Sequence, residues 1–143
     1  MARNFHTPSK ILQQLSKDPH FDVLCEVAQN NNTSKEVLRD LYKNSHLHYC
    51  LADNPNTPID ILEELSKDEN PDIRYGVARN PKTTIDILEV LSTDEDFEVL
   101  FFVCKNPHTP NEILKKLLNS SNKIIRELAL ESLIKNKKLS LLK

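Results

Sequence analysis

Apolar residues recur along this chain in two alternating sets. The first set has the spacing i, i+1, i+4 of one helix face: Ile11-Leu12-Leu15, Val37-Leu38-Leu41, Ile61-Leu62-Leu65, Ile87-Leu88-Leu91 and Ile113-Leu114-Leu117. The second set reads Val23-Val27-Ala28, Leu47-Leu51-Ala52, Ile73-Val77-Ala78, Val99-Val103-Cys104 and Ile125-Ala129-Leu130. Polar stretches such as SKDENPD separate the two sets. An asparagine opens each unit: NFHT at Asn4, NNNTS at Asn30, NPNTP at Asn54, NPKTT at Asn80 and NPHTP at Asn106, spaced 26, 24, 26 and 26 residues apart. A fixed period of this length marks a repeat architecture. The pattern predicts two short helices per unit, with units over 4–29, 30–53, 54–79, 80–105 and 106–130. Residues 131–143, ESLIKNKKLSLLK, leave the pattern and are expected to form or extend a last helix as a C-terminal cap.

Local chemistry supports these boundaries. The threonine of each unit suits an N-cap, because its hydroxyl accepts a backbone N–H of the first turn. Pro8, Pro58 and Pro110 follow at the first helical position, where no N–H is needed. Three residues after the threonine stand Glu36, Asp60, Asp86 and Glu112, acids that favour a helix N-terminus; the two glutamates complete capping boxes. The first unit has Lys10 there instead. The second helix is expected to be short, roughly Ile73 to Arg79 in the third unit, and to stop at Asn-Pro. Pro55, Pro81 and Pro107 disfavour helical geometry in the residue before them. Those asparagines are either extended, with amides bonding loop backbone as an inter-unit ladder, or plain turn formers.

One unit carries too few apolar side chains to offset the entropy of ordering its backbone. Neighbours must share a continuous core. The expected fold is therefore an all-α solenoid, a single domain over 1–143.

The unit Asn-Pro-x-Thr-Pro-x-x-x-Leu-x-x-Leu, followed by Ile-Arg-x-x-Val-Ala, resembles the leucine-rich repeat variant family. The fullest version is NPNTPIDILEELSKDENPDIRYGVARN, from Asn54 to Asn80, and the resemblance covers about residues 4–130. It implies a right-handed superhelix of alternating α and 3₁₀ helices. The units are similar, more loosely, to HEAT-type repeats. Some members of the variant family hold an iron–sulfur centre on an N-terminal cysteine cluster, and no such cluster is present here, so no cofactor is expected. At the family's arginine position this chain keeps Arg74 and Arg126, while Leu24, His48 and Leu100 stand in the other units. The resemblance brings no catalytic residue and no ligand.

Composition narrows the function classes. The chain has 143 residues, 38% hydrophobic and 28% charged, as suits a globular domain that folds without metal or disulfide. One glycine, Gly76, speaks against a sheet-rich fold and a glycine-rich phosphate loop. No apolar run approaches a membrane helix, and MARNFHTPSK has no signal-peptide core, so a cytoplasmic protein with no membrane partner is expected. Cys25, Cys50 and Cys104 lack metal-ligand spacing and read as free thiols. His46 and His48 could hold a metal only weakly, and a surface role is expected for them.

Net charge is −2, but it is unevenly spread. Residues 57–98 hold four basic and twelve acidic side chains, and residues 99–143 hold nine and three. Asp60, Glu63, Glu64, Asp86 and Glu89 would form an acidic ridge on the first helices. Lys115, Lys116, Lys123 and Arg126 would form a basic end able to touch phosphate. Tyr49, Tyr75 and Phe101 share one repeat position, two residues after Leu47, Ile73 and Val99. In an α-helix that is about 200° from the core, an exposed stripe flanked by Arg74 and Phe102. In a 3₁₀ helix the same residues would pack between units.

No nucleophile elbow, paired-acid motif or phosphate loop appears. The expected function is a non-enzymatic scaffold for another protein or peptide, through Tyr49, Tyr75, Phe101, Phe102 and Arg74 with the acidic ridge adding steering. The alternatives are nucleic-acid binding through the basic end and, more remotely, a DNA-repair enzyme of the HEAT-like kind.

Overall fold

The computed structural model describes residues 4 and 6–141, and these are helical without a strand. The first helices of the units are α1 (Ser9–Leu15), α3 (Lys35–Tyr42), α5 (Ile59–Leu65), α7 (Ile85–Leu91) and α9 (Asn111–Leu117). The second helices are α2 (Phe21–Gln29), α4 (His48–Ala52), α6 (Pro71–Arg79), α8 (Phe97–Lys105) and α10 (Lys123–Leu141). A 3₁₀ turn, Ser45–Leu47, precedes α4. The expected alternation of α and 3₁₀ helices is thus corrected: α6 and α8 are nine-residue α-helices, and 3₁₀ geometry is confined to the shortened second unit. Residues 131–141 continue α10 without a break.

Each second helix packs on the next, α2 on α4, α4 on α6, α6 on α8 and α8 on α10. Each first helix lies against the second helix of its own unit. The two apolar sets meet in one continuous buried cluster from Leu12 to Ala129. Leu130 departs from the expected core and is 51% exposed. Its equivalents Ala52, Ala78 and Cys104 are buried. Gly76 permits a close approach: a Cβ there would lie 2.9 Å from the Cβ of Ala52 on α4.

The asparagines form the inter-unit ladder. Nδ2 of Asn80 donates to the carbonyls of Ala52 (2.7 Å) and Asn54 (2.9 Å), and Asn54 and Asn106 repeat the pattern on Ala28–Asn30 and Ala78–Asn80. Asn30, Asn80 and Asn106 are extended, with ψ of 126–128°. Each Oδ1 accepts the N–H two residues on, which closes a tight turn. Ser132 Oγ donates to the Cys104 carbonyl at 2.7 Å and so takes the asparagine's place in the last rung.

The threonines act differently from expectation. Thr33, Thr57, Thr83 and Thr109 are buried, and each hydroxyl donates back to a carbonyl six residues earlier, at the end of the preceding second helix. The N-cap is the next residue: Pro8, Ser34, Pro58, Thr84 or Pro110. Every helix start moves by one, so Glu36 and Glu112 do not reach the capping-box position. They still lie in the first turn, as do Asp60 and Asp86, where a carboxylate is favoured.

Candidate functional site

The second helices carry an aromatic row that is partly exposed and partly packing. Tyr49 on α4 is 43% exposed, whereas Tyr75 on α6 and Phe101 on α8 are half-buried. Tyr75 stacks on Phe102 of the next unit, ring centroids 5.6 Å apart. Phe101 meets Phe102 edge-on at 5.2 Å and Phe97 at 6.2 Å. Both readings of the stripe are therefore partly met: the helices are α, yet Tyr75 and Phe101 also fill the seam between units. Burial pushes the Tyr75 hydroxyl above its ordinary pKa, and the neighbouring Tyr49 adds to the effect.

Sequence reasoning missed Arg79. Its guanidinium lies 5.6 Å from the centroid of the Phe102 ring and pairs with Asp53 of the preceding unit. Asp53 and Arg79 share the position before the ladder asparagine, and so do Lys105 and Glu131, which pair at 2.8 Å. Opposite charges at one repeat position were the available signal.

Arg74 does not face a partner, as the sequence had implied. Its Nε and Nη2 bond the Asp94 carboxylate at 2.7 and 3.0 Å. Its Nη1 bonds the carbonyls of Asp68 and Glu69 at 2.8 and 2.9 Å. Burial alone would raise the Asp94 carboxyl, but the bonds from Arg74 and from the Asp96 N–H outweigh it and hold it below the usual carboxylate range. Arg126 makes the same backbone contacts, to Ser120 and Ser121 at 2.6 and 2.9 Å. His48 stacks on Tyr42, lies 3.1 Å from the Tyr42 carbonyl and approaches Asp68.

The acidic ridge and the basic end are partly tied into ion pairs, two of them between units. Asp60 receives both terminal nitrogens of Arg39, at 2.6 and 2.9 Å, and Glu89 pairs with Lys116 at 3.1 Å. Glu64 pairs with Lys67 and Lys123 with Glu127. Glu63, Asp86 and Lys115 are exposed.

Cys25 and Cys50 are joined in a disulfide between the first two units, which corrects the reading of free thiols. They occupy neighbouring repeat positions, as Tyr75 and Phe102 do in later units. Cys104 is free and buried, and burial pushes its thiol up to about 11.

A groove of about 550 Å³ opens between the fourth and fifth units. Asp94, Glu95, Phe97 and Leu100 form one wall, and Lys116, Ser120, Asn122 and Ile125 lie opposite. Among known proteins, no family model, no curated protein and no solved structure matches this chain. No helix among the described residues is long and apolar enough to cross a membrane.

Proposed function

We propose that the chain is a right-handed solenoid of five two-helix units, of the leucine-rich repeat variant kind, working as a non-enzymatic scaffold that binds a protein or peptide. The inter-unit ladder and the pairing of successive second helices support the solenoid reading. The observation that carries the binding reading is the patch of Tyr49, Tyr75, Arg79 and Phe102 on adjoining second helices. Partly exposed aromatics beside an arginine are the usual anchors of an interface. The buried threonines and asparagines hold backbone, and Arg74 and Arg126 hold loops.

The basic end supports nucleic-acid binding less well, because Lys116, Lys123 and Arg126 are already held within the chain. The Cys25–Cys50 bond weighs against the cytoplasm, where disulfides are rare, and favours an oxidising compartment.

The test is capture of partners on immobilised protein, with and without nuclease, using the native chain and Tyr49→Ala. Tyr49 is exposed, so the substitution leaves the melting temperature nearly unchanged. A stoichiometric protein that survives nuclease and is retained on the order of tenfold less by Tyr49→Ala is the expected result. Recovery that vanishes with nuclease would move the assignment to nucleic acid.

A further inference from the structure

In three units, the side chain at the family's arginine position closes the loop that precedes its own helix. Arg74 bonds the carbonyls six and five residues before it, Asp68 and Glu69. Arg126 bonds those of Ser120 and Ser121, and His48 reaches that of Tyr42. The fourth unit has Leu100 at this place. Its corresponding carbonyls belong to Asp94 and Glu95, and no hydrogen bond to either is found among the described residues. These two residues and Leu100 line the groove of about 550 Å³.

We propose that this groove is an empty arginine seat, and that it receives the guanidinium of an arginine side chain from a bound polypeptide. The inference rests on the binding reading above and names the residue type that this part of the surface recognises. The two neighbouring seats show what fits: one guanidinium nitrogen, Nη1, donates to two adjacent carbonyls at 2.6–2.9 Å, and in the third unit Nε and Nη2 turn to a carboxylate. While Nη1 holds the carbonyls, a guanidinium keeps Nε and Nη2 for a second acceptor, which the single nitrogen of an ammonium cannot do. Phe97, Leu100 and Ile125 provide apolar wall for the ligand's methylene stem. In the third unit the outer edge of the guanidinium is held by Asp94; one unit on, the same place falls to Ser120, whose hydroxyl is a neutral acceptor. Glu95 puts a carboxylate on the near wall. The cation opposite, Lys116, is drawn to Glu89.

The probe is Nα-acetyl-arginine methylamide, titrated into the ¹⁵N-labelled full chain and followed by amide chemical shifts. The lysine and glycine analogues serve as controls. A single side chain binds on the order of millimolar. The expected result is saturable shifts at Phe97, Leu100 and Ser120–Asn122, several-fold weaker with the lysine analogue and absent with glycine. Leu100→Arg supplies the missing side chain, so it abolishes the response and raises the melting temperature. Should that variant fold poorly, Leu100→Gln, which reaches the carbonyls with a neutral donor, reduces the response several-fold instead. Shifts centred on Glu63 and Glu64, equal shifts with lysine, or no saturation at all would overturn the proposal. Failure here leaves the Tyr49 experiment standing, because that variant touches neither wall of the groove.

Discussion

Three hydrogen bonds converge on the Asn80 amide: two donated to Ala52 and Asn54, and one accepted from the Lys82 N–H. All of its polar atoms are used, and the residue is 1% exposed. Asn80→Ala strands the Ala52 carbonyl and the Lys82 N–H and leaves the Asn54 carbonyl with the Thr57 N–H alone, so it is expected to cost about 2–4 kcal/mol, read from urea unfolding. Ser132→Ala removes a single bond at the end of the ladder and is expected to cost about 1 kcal/mol. Equal losses for the two would show that the ladder does not hold the units together. The asparagine's role was one of two readings the sequence left open: a following proline favours extended backbone and frees the amide to reach across, but a plain turn has the same signature. The threonine's role was not legible. A hydroxyl beside a helix start satisfies a forward N-cap or a backward bond equally well in sequence, and only the path of the loop decides.

At the scale of the element, the helix pairs follow from apolar spacing alone, but their seams do not. Helical periodicity says which face is buried and is silent about which position of one unit meets which position of the next. That offset decides three features at once. It brings Cys25 to Cys50, Tyr75 to Phe102 and the line of Gly76 to Ala52. The first two units therefore have a covalent link where the third and fourth have an aromatic stack. The bond joins residues 25 apart in sequence, and closing a loop of that length restricts the unfolded chain by roughly 3–4 kcal/mol. Reduction is expected to lower unfolding stability by about that amount. Hydrogen exchange should rise first in α1 and α2, which have no other covalent tie. Thiol titration checks the premise. Under native conditions no thiol reacts, because Cys104 is buried with its thiol pushed up to about 11; denaturation exposes one, and reduction with denaturation exposes three. Three thiols without reductant would remove the staple.

Across the whole molecule, charge and stability are separable. The strongly acidic middle and the basic C-terminal part meet through Glu89 and Lys116, an exposed pair, and Arg39–Asp60 and Lys105–Glu131 are also exposed. Such pairs contribute about 0–1 kcal/mol each and are screened within roughly 10 Å at 0.1 M salt. What holds the units is the apolar cluster and the buried ladder, and salt touches neither directly. The melting temperature is therefore expected to move by only a few degrees between about 0.02 M and 0.5 M sodium chloride. Association with a basic polypeptide should behave oppositely. Glu63 and Asp86 stay exposed on the acidic middle, and the arginine seat lies beside it with Glu95 on its wall. An acidic face draws a cationic partner into encounter, so the association rate should fall by about tenfold or more over the same salt range while dissociation changes little. Stopped-flow mixing with an arginine-bearing peptide, beside a melt in each buffer, separates the two. A melting temperature that collapses with salt would place the stability in the surface pairs. An association rate indifferent to salt would leave the uneven charge as solvation alone.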